Sequence, residues 1–154
     1  MRKLLMGLLL ATAATAACTT RTTTLPATVP APVTVAQNAP RPALDAFLAA
    51  VRAQDLQAMS NVWGDKDGSV RASGKMGREE IERREIILMC YFRHDKYRVL
   101  NESPGVDNER VLQVELTKGT LSRTTNFYLA RDASRWYVRS ADLEPVRDLC
   151  VDKK

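Results

Sequence analysis

The stretch REEIERREIILMCYFR, residues 78–93, decides what kind of fold this chain builds. Its first half opens with Glu79 and Glu80, suited to the positive end of a helix dipole, and sets Glu79 against Arg83 and Glu80 against Arg84 at the i, i+4 spacing. Its second half, Ile86 to Phe92, is apolar on every side and taken alone is equally compatible with a strand. The unbroken helix-forming run ahead of it favours one helix. A helix that is polar first and apolar later is expected to leave solvent and bury its C-terminal half, most economically against a sheet.

That sheet is expected directly downstream. KYRVLNE (96–102), RVLQVELT (110–117), LSRTTNFYLAR (121–131) and RWYVRSADL (135–143) are strand-like, and Pro104-Gly105, Asp107-Asn108, Lys118-Gly119 and Asp132-Ala133-Ser134 mark their turns. Leu112, Val114 and Leu116 alternate with Gln113 and Glu115, so one face is dry and the other wet. By the same alternation Phe127, Leu129, Trp136 and Val138 face the core. Arg135, Tyr137 and Arg139 then fall on the wet face, where a solvated surface is the heavier reading and a partner-binding sheet is the alternative.

Upstream, Leu44, Phe47, Leu48 and Val51 fall at i, i+3, i+4 and i+7, one face of a helix with Pro42 in its first turn. Asp55 is the expected cap of a second, short helix carrying Leu56, Met59 and Trp63 and stopped by Gly64. GDKDGSVRASGKMG, residues 64–77, reads as irregular chain with one brief strand near 69–72. Asp65, Asp67 and Gly68 resemble the start of a calcium loop, but the register of ligands fails after Gly68 and a plain turn is expected, with no metal site. Three N-terminal helices packed on a curved four-stranded antiparallel meander make an α+β domain over residues 41–150, followed by a tail at 151–154.

This order of elements, with the "AQDLQAMSNVW" second helix (53–63), resembles the nuclear transport factor two-like superfamily, which includes SnoaL-like and ketosteroid isomerase-like proteins with a cystatin-like cone. The resemblance implies a sheet wrapped around the third helix and an apolar pocket between helices and sheet. It also opens two functional classes, since such folds serve as enzymes and as binding or interaction domains. No carboxylate base and acid set of the isomerase kind matches residue by residue, and no cofactor is implied.

Candidate pocket residues follow from strand alternation. Ser140 and Asp142 continue the face of Val138, and Thr125 and Arg123 continue that of Phe127, so with Tyr91 they are expected to rim the open end of the cone. There Asp142 is the candidate acid or base, Arg123 an anion clamp and Tyr91 a hydrogen-bond donor; the plainer reading is a buried strip running out into water. His94, the single histidine, is a candidate general base beside Asp95, with a surface or turn-capping imidazole the heavier reading because no nucleophile serves it.

The first forty residues concern address. Arg2 and Lys3 precede an apolar run from Leu4 to Ala14, the layout of an export signal over residues 1–17 and too short to span a bilayer. Thr15-Ala16-Ala17-Cys18 resembles the lipobox of bacterial lipoproteins, which implies a diacylglycerol thioether on Cys18 and a membrane partner reached through that lipid. The alternative is ordinary cleavage after Ala16 or Ala17, leaving a free thiol. Residues 18–40 are rich in Thr, Pro, Ala and Val, and five of the chain's seven prolines lie by position 42, as suits a semi-extended tether.

Once Arg2 and Lys3 are removed, the formal charge falls from +5 to +3, too small an excess to argue for nucleic acid in an exported chain. Lipidation of Cys18 leaves Cys90 and Cys150 as an even pair in an oxidising compartment, so a disulfide is expected there, against the alternative of a buried Cys90 thiol and a loose Cys150. The sequence therefore points to a cell-envelope lipoprotein whose domain binds an envelope protein or a small apolar ligand. The competing readings are a cofactor-independent isomerase or hydrolase and a homodimer paired through its sheet.

Overall fold

The computed structural model describes residues 37–151, all within one compact unit. The expected signal segment, Cys18 and most of the tether lie outside the described residues. Helix α1 spans Pro40–Ala53, with proline in its first turn, and buries Ala43, Leu44, Phe47, Leu48, Ala50 and Val51, the stripe that the spacing predicts. Gln54 ends it in the left-handed region at φ 56°, its amide donating to the Ala50 and Val51 carbonyls. Asp55 immediately caps helix α2 (Leu56–Val62), accepting from the Ala58 amide at 2.9 Å. Left-handed stop and side-chain cap are adjacent, which is why two helices meet across so short a turn.

The segment expected to be irregular is partly ordered. A two-residue hairpin pairs β1 (Gly64–Asp65) with β2 (Gly68–Ser69), and Ser69 caps a one-turn helix, α3 (Val70–Ser73). The brief strand thus ends where expected chain 70–72 turns helical, giving one helix more than the sequence suggested. Gly64 is required here, since a Cβ would lie 2.3 Å from the Gly68 carbonyl oxygen. Asp65 and Asp67 turn their carboxylates to Lys75 Nζ and Asp67 also meets Lys66 Nζ, so the two carboxylates of the loop resembling a calcium site are balanced by two ammonium groups. No cluster of potential metal ligands occurs among the described residues.

Helix α4 (Arg78–Tyr91) carries the expected Glu79–Arg83 and Glu80–Arg84 pairs, and also Arg78–Glu82. Its burial differs from expectation. Only Ile81 and Glu85 are fully buried, while Ile86 and Ile87 are 59% and 48% exposed. The buried stripe runs through Ile81, Glu85 and the half-buried Leu88 at i, i+4 and i+7, which leaves the two isoleucines on the opposite side.

Four strands follow as an antiparallel meander in the order β3-β4-β5-β6: β3 (Lys96–Pro104), β4 (Arg110–Lys118), β5 (Leu121–Arg131) and β6 (Trp136–Ala141). Leu112, Val114, Leu116, Phe127 and Leu129 are fully buried, and Trp136 and Val138 nearly so, as the alternation predicts. Two irregularities break it. In β3 the register slips between Val99 and Asn101, and in β6 Arg139 is an extra residue between the Leu129–Val138 and Tyr128–Ser140 pairs.

At the core centre Phe47 of α1 meets Phe92 and Phe127 edge-on, with centroids 5.9 and 6.1 Å away, while Phe92 and Phe127 lie 4.9 Å apart. Each buried ring contributes about 1.5–3 kcal/mol, and the trio joins α1 and the end of α4 to β5. A 3-10 helix, Glu144–Leu149, seals one end with Val146 and Leu149, and a disulfide joins Cys90 of α4 to Cys150, Cα atoms 4.7 Å apart. No helix among the described residues is long and apolar enough to cross a membrane.

Candidate functional site

The C-terminal half of α4 does not pack flat against its neighbours, and the gap it leaves toward the end of α1 and the start of α2 is an open cleft of about 470 Å³. Val51, Leu56, Ile86 and Met89 give it an apolar wall, the Cys90 end of the disulfide lies along it, and Arg52, Gln54, Arg93 and His94 supply polar groups. The cleft follows from the sequence locally. The left-handed Gln54 turns the chain from α1 into α2, and the cleft opens at that turn beside the buried Val51 and the exposed Arg52.

His94 is 5% exposed, not a surface residue. Its Nδ1 lies 2.8 Å from the Phe92 carbonyl, so Nδ1 carries the hydrogen and donates it, a turn-capping role that the sequence anticipated. The ring also meets Tyr97 edge-on at 5.6 Å. That leaves Nε2 with a lone pair, buried and with no partner among the described residues. Burial pushes the imidazole below its ordinary pKa and the positive Arg52 adds to the push, while the Phe92 bond and Asp95 oppose it, so His94 is neutral at pH 7. Behind it the Tyr97 hydroxyl donates to Asp45 at 2.7 Å; burial first, and that bond second, push Tyr97 up to about 12.

The other expected pocket residues are dispersed. The extra residue at Arg139 reverses the alternation, so Asp142 joins the outward side of β5 and accepts from Asn126 Nδ2 at 3.0 Å and Tyr128 Oη at 3.2 Å. Ser140, opposite Tyr128, is exposed. Thr125 is buried as expected, but its hydroxyl donates to the Asp142 carbonyl. Arg123 clamps Asp148 of the 3-10 helix with Nε at 3.1 Å and with Nη2, an internal tie. Tyr91 is half-buried against the core, and no hydrogen bond joins it to Asp142.

The trio assigned to the wet face also needs correction. Tyr137 is 1% exposed, its hydroxyl donating to Asp132 at 2.8 Å while the Arg135 guanidinium packs over its ring at 5.3 Å. Asp132 and Arg135 at the β5–β6 turn lie against the Tyr137 side chain, so a position that alternation sends outward is covered. Arg139 does face outward and pairs with Glu109 at 2.6 Å.

Glu85 is a buried charge-bearing residue that sequence reasoning missed. Its side chain is fully buried among α2, α3 and α4, with Oε1 2.7 Å from Ser60 Oγ and Oε2 without a partner. Ser60 Oγ also lies 2.8 Å from the Leu56 carbonyl and 3.3 Å from Arg71 Nη2. One serine proton cannot serve both Leu56 and Glu85. The arrangement closes if Glu85 is protonated and donates to Ser60, which then donates to Leu56. Burial raises the Glu85 pKa; Ser60 and Arg71 pull it down without prevailing, and Glu82 adds to the rise. The signal was present as a carboxylate four residues after Ile81 on the buried stripe.

Comparison with protein-family models, with curated proteins and with solved structures finds no match.

Proposed function

We propose that this chain is a bacterial cell-envelope lipoprotein, anchored through Cys18 and a Thr/Pro tether, whose domain is a binding or interaction module of the nuclear transport factor two-like, cone-shaped kind. The order of helices followed by a four-stranded meander supports the fold reading. One observation carries the functional reading: α4 presents Ile86 and Ile87 to solvent beside an apolar cleft, where an isolated domain gains nothing from them. Neighbouring faces are charged and paired, as in Arg98–Glu115 on the sheet, which favours α4 over the sheet as the contact surface.

An isomerase or hydrolase is the weaker reading, because Asp142 is spent on Asn126 and Tyr128, and neither Tyr91 nor Asp142 lines the cleft. The test is site-specific photo-crosslinking in the full-length protein, with a photoreactive residue at position 87 and a control at the still more exposed Val106, which sits in the β3–β4 turn. Adducts from position 87 alone are expected. Equal labelling from both positions, or none, refutes the α4 surface.

A further inference from the structure

Resting on that reading of the domain as a binding module, we infer that the cleft between α1, α2 and α4 takes a small amphiphilic anion, a carboxylate on a medium-length acyl chain. The volume of about 470 Å³ falls within the range of small-molecule sites, roughly 300–1,000 Å³. Val51, Leu56, Ile86 and Met89 offer an acyl body the apolar wall that water solvates poorly. At the polar end stands Arg52, which makes no ion pair or hydrogen bond among the described residues, in contrast with Arg78, Arg83 and Arg84 on the neighbouring helix.

The second observation is independent. His94, 95% buried by its 5% exposure, lines the same cleft and keeps Nε2 without a partner. A carboxylate answers the Arg52 guanidinium directly, one oxygen accepting from it, and sets its negative charge beside the His94 ring, which borders the cleft although its Nε2 is sealed from solvent. A neutral apolar ligand leaves Arg52 unanswered, and a cation is repelled by it.

A pH dependence follows. The charged and titratable groups around His94 are Arg52 from α1, Arg93 and Asp95 on its own turn, and Tyr97 from β3. A carboxylate arriving among them favours the imidazolium, so binding takes up a proton and tightens as the pH falls from 8 toward 6.

The single histidine makes the test direct, since its imidazole C2–H resonance needs no assignment. The full-length protein is titrated with octanoate, with octanol as the uncharged control and acetate as the control without an apolar body. Octanoate should shift the resonance saturably and bind at least about tenfold more tightly than either control. Arg52→Gln should weaken octanoate about tenfold and leave octanol unchanged, and Ile86→Ser, at an exposed position, should weaken both. Octanol binding as tightly as octanoate overturns the anion. A silent titration overturns the amphiphile while persistent cross-linking from position 87 keeps the module reading; loss of both signals overturns both.

Discussion

Replacing Glu85 by Gln should make the protein more stable at neutral pH, and the gain should vanish in acid. Glu85 is fully buried, and its neutral form completes the chain of donors from Glu85 to Ser60 to the Leu56 carbonyl. Around it, Arg71 of α3 favours the charged form and Glu82 of α4 disfavours it, with burial outweighing Arg71. Below the ordinary glutamate value of 4.5, folded and unfolded chains both hold the proton, and a Gln that donates to Ser60 in the same way is nearly neutral, within about 0.5 kcal/mol. Above that value the unfolded chain releases its proton while the folded chain, with its raised pKa, keeps it. Wild-type stability therefore falls with rising pH, by up to about 1.4 kcal/mol per pH unit, until the folded value is passed.

Gln has no proton to lose. By pH 7.5 the variant should lead by about 1–2 kcal/mol, the size of one poorly satisfied buried group, or on the order of 4–8 °C in melting temperature. Urea denaturation of both proteins at pH 4.5, 6 and 7.5 isolates this site, because every other titrating group is common to the pair. A variant that is less stable by about 1 kcal/mol or more at all three pH values refutes the reasoning, since it means Glu85 is charged and paired with Arg71.

The disulfide separates residues 60 apart in sequence, and replacing both Cys90 and Cys150 by Ala should destabilise by about 4 kcal/mol in the chain-entropy account, read as a lower urea midpoint. Tyr137→Phe removes the buried hydroxyl between Asp132 and Arg135 and should lower stability by about 1–2 kcal/mol in the same assay. Although burial opposes ionisation of Asp132, bonds from the Ser134 and Arg135 amides and from Tyr137 pull it down to about 2. Its contribution is therefore present above the ordinary aspartate value of 3.8 and lost as the pH falls toward 2, a decline that Tyr137→Phe should flatten.

The strands and first two helices were legible because one rule governs each: the Leu112-Val114-Leu116 alternation, the Leu44-Phe47-Leu48-Val51 stripe, the Asp55 cap. The site was not, and the reasons are particular. Strand alternation places Asp142 inward only if no residue intervenes, and the extra Arg139, which nothing in RWYVRSADL advertises, sends it outward. In α4 an apolar run suggested burial, yet periodicity decides which side is buried, and Glu85 rather than Ile86 falls on that side. The Cys90–Cys150 pairing was within reach of counting, whereas His94 acquires its buried, half-satisfied state from Phe92 and Tyr97, whose approach is tertiary.

The most direct test of the account as a whole is the intact mass of the full-length protein recovered from bacterial membrane fractions. A chain beginning at Cys18 and carrying the added mass of a diacylglycerol-linked lipid is the result expected. A mature chain beginning at Thr19 or earlier, without added lipid mass, contradicts it.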